Sequence, residues 1–533
     1  MIKLVLCAML FLFFLSVSLP SASDQTRPKL IVVVAVDQLR RDRLNADSTG
    51  AFGRLLKQGR VFTNAQLDHA VTNTCPGHAV ILSGASPGQA GVPGNSYIDH
   101  ETFTERYCMG DENNATRVLG GQQNRSPKNL QVTTLGDWLK QENADARVFA
   151  VAGKDRAAIA MGGHKADGAF WFDSKSGRFT TSGYYASELA DYVLSFNGKN
   201  SFADGHFVDV PQQWQHAEGE FRVDDYEGES TRFKRVSGHP LRDERGSYEP
   251  VYVSPWLDLS TFALATEIVQ AEDLGADDVT DLLAIGLSGT DVIGHHYGPR
   301  SAEAADALQR LDQRFDTFLK MLDDKVGASD YLIVVTADHG VAELPEYRDE
   351  QGSKCPVSGR ISVEELVASI HQELFKKFTH PHSPADAFKI SGSQFVFNRT
   401  FLSEHDLALD RGIEVLDQIL TDQKIVKAAW SAEEISTGSS EEARLYRNSY
   451  AAGMSGDLLL QTHEDCVITR ESGTTHGSPY DYDRDIPLIF MGAGIVRGLD
   501  ESTAHSVDIA PTLAQWLKLD TPENLEGKVL KLD

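Results

Sequence analysis

An α/β protein built on an open, mostly parallel sheet sandwiched between helices is predicted by three observations. Several continuous apolar runs each end in a polar cluster, as strands buried on both faces do. Amphipathic helical patterns lie between those runs. The polar clusters carry Asp, His and Gly, and in such sheets ligands bind outside the carboxyl ends of the strands.

The first run is "KLIVVVAVDQLRRD" (29–42), which closes on Asp37. The other three are "LLAIGLSGTD" (282–291), "YLIVVTADHG" (331–340) and "DIPLIFMGAG" (485–494), and all four are expected to run parallel. A further short strand is expected just before "VAGKDRAAIAMGG" (151–163). Helices are read at "STFALATEIVQAEDL", "SAEAADALQRLDQRFDTFLKML" and "SVDIAPTLAQWLKL", from apolar residues three and four apart. Two stretches break this rhythm. Residues 196–258 are polar and rich in Gly, Asp and His, and read as an insertion lying over the surface. Residues 341–470 hold their own helix, "SVEELVASIHQELFKKF", and a candidate strand, "DAFKISGSQFVFN", enough for an inserted cap subdomain.

The chain of 533 residues is 41% hydrophobic and 24% charged, an ordinary globular composition for one large domain with insertions. Its first 23 residues combine a lysine, a short apolar run and small residues at Ser21 and Ser23, the pattern of a secretory signal peptide; an uncleaved anchor is the alternative. The mature chain is then 24–533, periplasmic or secreted, with no stable membrane association after cleavage. Loss of Cys7 with the signal leaves Cys75, Cys108, Cys355 and Cys466, an even number for an oxidising compartment. Four cysteines allow three connectivities. Proximity favours Cys75 with Cys108, and a shared cap region favours Cys355 with Cys466. Fifty basic residues against 77 acidic ones give a net charge of −27, which argues against nucleic acid and anionic membranes as partners. An anionic substrate would therefore need strongly local positive charge, such as metal ions.

Six candidate metal ligands stand at or near the strand ends: Asp37, Asp291 and His295 in "SGTDVIGHHYGP", Asp338 and His339 in "TADHG", and His476 in "SGTTHGSPYDYD". Three carboxylates and three imidazoles suit two zinc ions with room for substrate. Singly, each has a plain structural reading as a cap or a satisfied core histidine. In "VTNTCPGH" (71–78), Pro76 suits the first position of a helix and Thr74 could be an ordinary N-cap.

Taken in order, Asp37, Thr-x-Pro-Gly-His, Thr-Asp-x-x-Gly-His-x-x-Gly-Pro, Ala-Asp-His-Gly and a late Gly-x-x-His-Gly resemble the alkaline phosphatase superfamily from residue 37 to residue 476. The resemblance implies one zinc on Asp37, Asp338 and His339, another on Asp291, His295 and His476, and Thr74 as the nucleophile beside the first. Thr72 and His78 are read as structural and His296 is left open. "VAGKDR" and "GVPGNSYID" resemble the Lys-x-Arg and Gly-Asn elements of the PafA-type phosphate monoesterases, which implies that Lys154, Arg156 and Asn95 bind the phosphoryl group. The backbone N–H of Cys75 is expected as a further donor to a phosphoryl oxygen.

The resemblance thus implies an alkaline phosphatase acting on small phosphate monoesters through a phosphothreonine, and the chain is expected to be a monomer. The alternative within the superfamily is a nucleotide phosphodiesterase or pyrophosphatase, which shares the zinc ligands and the threonine but lacks the Lys/Arg pair. Cys75-Pro76-Gly77 does not match the sulfatase pattern, and Thr74 and the signal speak against the cytosolic, serine-dependent phosphoglycerate mutases. A non-catalytic phosphate- or metal-binding module is the alternative from another class. Asp481, Asp483 and Asp485 could suggest calcium, but without a glycine-rich loop they read as capping or surface residues.

Overall fold

The structure is a computed structural model and describes residues 27–200, 211–217, 225–242, 246–357, 360–377, 387–469 and 472–533. The signal-like segment 1–23 and parts of the 196–258 and 341–470 stretches lie outside the described residues. Among the described residues, no helix is long and apolar enough to cross a membrane.

Among the described residues nine strands form the main sheet: β1 (Leu30–Val36), β2 (Arg60–Gln66), β3 (Val148–Ala152), β4 (Gly168–Asp173), β5 (Arg178–Thr180), β6 (Asp281–Leu287), β7 (Tyr331–Thr336), and, after the strands of a second sheet, β12 (Ile489–Gly492) and β13 (Gly498–His505). Their order is β13-β2-β12-β7-β1-β6-β3-β4-β5. The centre is parallel: β1 pairs with β6 and β7, β6 with β3, and β3 with β4. Every residue of β1, β3, β6 and β7 is buried, which is why, Asp281 and Thr336 at strand ends apart, their sequences are runs of apolar residues rather than alternating. Each fully buried Val, Leu or Ile contributes about 1.5–3 kcal/mol.

One strand departs from expectation. β12, the "DIPLIFMGAG" strand, runs antiparallel to both β7 and β2, so His476 enters the site from the loop before an antiparallel strand rather than from a parallel strand end. A four-residue apolar strand looks the same in either direction, because direction is set by the long connection that delivers it.

The helices that matter for the site are α1 (Thr74–Ser83), α2 (Asp155–Gly162), α3 (Trp256–Ala271), α4 (Gly289–Tyr297) and α5 (Ala302–Leu322); α8 (Ile509–Leu517) closes the core near the end of the chain. Between β7 and β12 lies a second, antiparallel sheet of β8 (Phe388–Ser391), β9 (Gln394–Phe397), β10 (Val426–Ser431) and β11 (Leu458–Thr462), in the order β8-β9-β11-β10. The helices α6 (Val363–Lys377) and α7 (Leu409–Thr421) pack on it around a separate core that includes Ile370, Leu416, Ile419 and Leu458. The expected single strand "DAFKISGSQFVFN" is a hairpin: Gly392, at φ +59°, turns the chain between β8 and β9.

The 196–258 stretch does not lie wholly on the surface. Trp214 and Leu241 are buried in the main core, beside a short antiparallel bridge of Gln213–Trp214 with His239–Pro240. The cysteines pair as Cys75–Cys108 and Cys355–Cys466.

Candidate active site

Strand register assembles the site. Leu30 to Val36 of β1 face Asp281 to Leu287 of β6, and Leu30 to Ala35 face Tyr331 to Thr336 of β7, so the three strands end together. β3 ends one step earlier, with Ala152 opposite Gly286. Four adjacent parallel strands therefore deliver Asp338 and His339, Asp37, Asp291 and Lys154 side by side. Asp291 and His295 share a face of α4, with His295 Nε2 3.3 Å from Asp291 Oδ1.

The six candidate ligands converge. His339 Nε2 lies 3.3 Å from Asp338 Oδ2 and 3.5 Å from Asp37 Oδ1. His476 Nε2 lies 3.2 Å from His295 Nε2 and 3.5 Å from Asp291 Oδ1. The rings of His339 and His476 stack at 3.6 Å, which joins the two sets into one cluster. Each imidazole turns Nδ1 to a backbone carbonyl: His476 to Thr72, His295 to Thr474 and His339 to Gly340, at 2.7–2.9 Å. With Nδ1 turned to a carbonyl, each ring points Nε2 into the cluster, the atom that a bound metal ion would take. Burial holds the His339 pKa down to about 3, so its imidazole is neutral, the form that binds metals.

The donor set fits metal ions. Asp37 Oδ1 and His339 Nε2 are buried with no hydrogen-bond partner, a costly arrangement unless a cation answers them. Burial, with Asp291 and Asp338 nearby, raises the pKa of Asp37 far above the usual carboxylate range. Asp291 and Asp338 go the other way despite burial, because His295 and Lys154 hold the first low and His339 and His78 the second.

Thr74 opens α1 but does not cap it. The N-cap is Asn73, no side chain makes the cap bond, and Pro76 occupies the third helical position rather than the first; an N–H there has no partner within the helix, so proline costs nothing. The Thr74 hydroxyl instead lies 3.3 Å from Lys154 Nζ and 3.4 Å from Arg156 Nη2. Lys154 is 3% exposed and also reaches Asp37 Oδ2 and Asp291 Oδ2, both at 2.5 Å. Burial penalises its charge, but those two carboxylates outweigh burial and raise its pKa. Asn95 is brought in as well, with a role the sequence did not suggest: its Oδ1 accepts the Cys75 N–H at 2.8 Å. That N–H is therefore engaged and is not the open donor expected from the helix mouth.

Several supporting residues were missed. Gln38, held at φ +69°, gives its amide Nε2–H to Asp291 Oδ1 (2.7 Å) and its backbone N–H to Asp338 Oδ1 (3.1 Å). Asp483 is buried and accepts from the N–H groups of Gly477 and Ser478 and from the Ser478 hydroxyl, which fixes the loop after His476. Asp155 accepts from the Tyr107 hydroxyl at 2.5 Å and forms an ion pair with Arg125 at 2.6 Å beside Arg156. A glutamine after a strand and the middle aspartate of "DYDRD" carry no pattern of their own. Asp481 is exposed and Asp485 pairs with Arg41 and Gln66, so the three aspartates form no calcium loop. His78 holds its Nδ1 between the Thr74 carbonyl and Asp338, and His296 packs on Phe233.

A cavity of about 430 Å³ opens beside the cluster, lined by Asn95, His295 and His476 and by Ile390, Gln394 and Phe395 from the β8–β9 hairpin.

Residues 31–483 match the model of the type I phosphodiesterase / nucleotide pyrophosphatase family. The chain belongs to this family. It is 34% identical to an alkaline phosphatase, PafA, of Elizabethkingia meningoseptica, over 94% of each chain. It is 32% identical to a protein of Myroides odoratus named calcium-transporting ATPase, over 96% of each. The crystal structure of wild-type alkaline phosphatase PafA superposes with a TM-score of 0.87 at 30% identity, covering 95% of this chain and 98% of that one. The fold is thus the alkaline-phosphatase-like α/β fold, and the chain is an enzyme of the alkaline phosphatase superfamily.

Proposed function

We propose that this chain is an exported two-zinc phosphatase that hydrolyses small phosphate monoesters through a phosphothreonine at Thr74. The observation that carries the reading is the convergence of two cations, Lys154 and Arg156, on the Thr74 hydroxyl beside the six-ligand cluster. In this reading Asp37, Asp338 and His339 hold one zinc, and Asp291, His295 and His476 the other. Zinc, when bound, supplies Lewis-acid chemistry: it lowers the pKa of a hydroxyl and offsets charge on phosphoryl oxygens.

The chain's own residues do the rest. Thr74 Oγ bonds to phosphorus as the ester oxygen leaves with the alcohol. Water then displaces Thr74 Oγ and releases inorganic phosphate, restoring the hydroxyl. Three aspartates and a Thr74 alkoxide balance two divalent ions, so the positive charge that favours a dianionic phosphoryl group comes from Lys154 and Arg156. Arg156 can take two oxygens with its planar fork, while Lys154 acts as a point charge. With its Oδ1 engaged by Cys75, Asn95 keeps its amide N–H₂ to donate to a phosphoryl oxygen. The two disulfides and the signal-like residues 1–23 support export to an oxidising compartment.

Phosphodiester hydrolysis is the second reading, favoured by the description of the family whose model matches. The name of the Myroides relative adds ATP to the substrates worth assaying. Acid quenching during turnover of an aryl phosphate, followed by peptide mapping, tests the proposal. Phosphate on Thr74, lost in Thr74→Ala with metal content kept, supports it. Phosphate on another residue overturns the assignment.

A further inference from the structure

Away from the ligand cluster, a second set of side chains has no part in this chemistry. His216 and His239 come from the 196–258 stretch, and Glu303 sits in the first turn of α5. Glu303 is fully buried and His239 is 2% exposed. The donor atoms of the three residues all lie within 4.8 Å of one another: Glu303 Oε1 is 3.1 Å from His239 Nε2 and 3.8 Å from His216 Nε2.

The hydrogen bonds leave this pocket short of positive charge. His239 Nδ1 is 2.9 Å from the Phe233 carbonyl, so its N–H donates there, and Nε2 is the ring atom turned to the carboxylate at 3.1 Å. His239 Nε2 and both oxygens of Glu303 are buried with no hydrogen-bond partner. A carboxylate buried with no donor beyond these two rings is among the costliest groups a core can hold. A cation between them resolves both deficits.

The surroundings are built to hold these ligands still. Asp306, one turn along α5, accepts from Trp214 Nε1 and the Ala217 N–H, both at 2.6 Å, and so pins the chain on either side of His216. Arg310 satisfies Asp306 from below at 2.8 Å. The Tyr297 ring covers His239 at 5.2 Å.

We propose that His216, His239 and Glu303 form a binding site for a transition-metal ion of the zinc type, structural rather than catalytic. Two imidazoles and one carboxylate are a zinc-like donor set, whereas calcium and magnesium prefer oxygen alone. The ion fastens the 211–217 and 225–242 segments to α5. Tyr297 against His239, and the Ser230 N–H donating to the His296 carbonyl at 2.8 Å, carry that anchorage to α4, which bears Asp291 and His295.

Anomalous diffraction at the zinc edge, from crystals of the full chain purified without chelator, tests the site directly. The expected result is a peak bounded by His216, His239 and Glu303, separate from any peak at the Asp37–His476 cluster. Metal analysis should then find one equivalent less in His239→Ala and Glu303→Gln than in wild type. No peak at these residues in zinc-replete crystals, or equal metal content in folded variants, overturns the proposal. Should the variants fail to fold, the wild-type map alone decides. Because the two locations give separate peaks, failure here is distinguishable from failure of the two-zinc reading.

Discussion

Gly77 is where α1, which carries the proposed nucleophile, touches the turn of the candidate ligands Asp338 and His339. A Cβ built there would stand 2.2 Å from the Asp338 carbonyl oxygen, where ordinary contact begins near 3.4 Å. Gly77→Ala must therefore open the gap between α1 and the 337–339 turn by 3.4 − 2.2 = 1.2 Å, less whatever the two share. Neither side yields easily, since every residue of α1 is buried and so are Asp338 and His339. Overpacking of this kind costs about 1–3 kcal/mol, which a domain of this size survives. The functional cost is larger, because Thr74 heads the displaced helix and a shift of about 1 Å in a reacting group can lower the rate by about 100-fold. Circular dichroism and metal analysis should show Gly77→Ala folded and loaded, with kcat/KM for an aryl phosphate monoester down by about two powers of ten. A loaded, folded variant with wild-type kcat/KM would refute the argument that this contact sets the position of Thr74.

Asp483→Ala should weaken the hold on His476 by removing the acceptor of two backbone N–H groups; metal affinity, followed by chelator competition, should fall about 10- to 100-fold, as for other outer partners of ligands. Asp483→Asn, which keeps one acceptor oxygen, should fall less. Removing the Cys75–Cys108 bond, which closes a separation of 33 residues, should destabilise the chain by about 3–4 kcal/mol in thermal or denaturant unfolding. The same change should reduce activity, because the bond ties α1 to the segment of Tyr107, whose hydroxyl binds Asp155 beside Arg156.

The parallel centre of the fold was legible because strands buried on both faces must be apolar throughout, and β1, β6 and β7 advertise this with Asp37, Asp291 and Asp338 just beyond their ends. Thr74, Lys154 and Arg156 were singled out only through the resemblance of the motifs around them to the alkaline phosphatase superfamily, and the structure brings the three side chains together. The direction of β12 was not, since pairing partners 150 residues and more apart decide it. Nor was Asn95 as the acceptor of Cys75 N–H: a helix mouth signals that donors exist, not which side chain reaches them first. Gln38 and Asp483 hold candidate ligands or the loop beside them by hydrogen bonds, and the requirement for them exists only in the folded geometry. The His216, His239 and Glu303 set is spread over 88 positions (303 − 216 + 1) with no regular spacing, so only the packing of α5 brings it together.

The central claim, that Lys154 and Arg156 tune this site to the dianion of a monoester, is tested most directly by comparing kcat/KM for an aryl phosphate monoester and the matching diester, in wild type and in the Lys154→Ala/Arg156→Ala double variant. A charge-assisted contact is worth about 1.5–3 kcal/mol, or about one to two powers of ten in rate when realised in the transition state. The account predicts that wild type prefers the monoester, and that the double variant loses several powers of ten on the monoester and far less on the diester. A wild-type preference for the diester, or equal losses on both substrates, would contradict it.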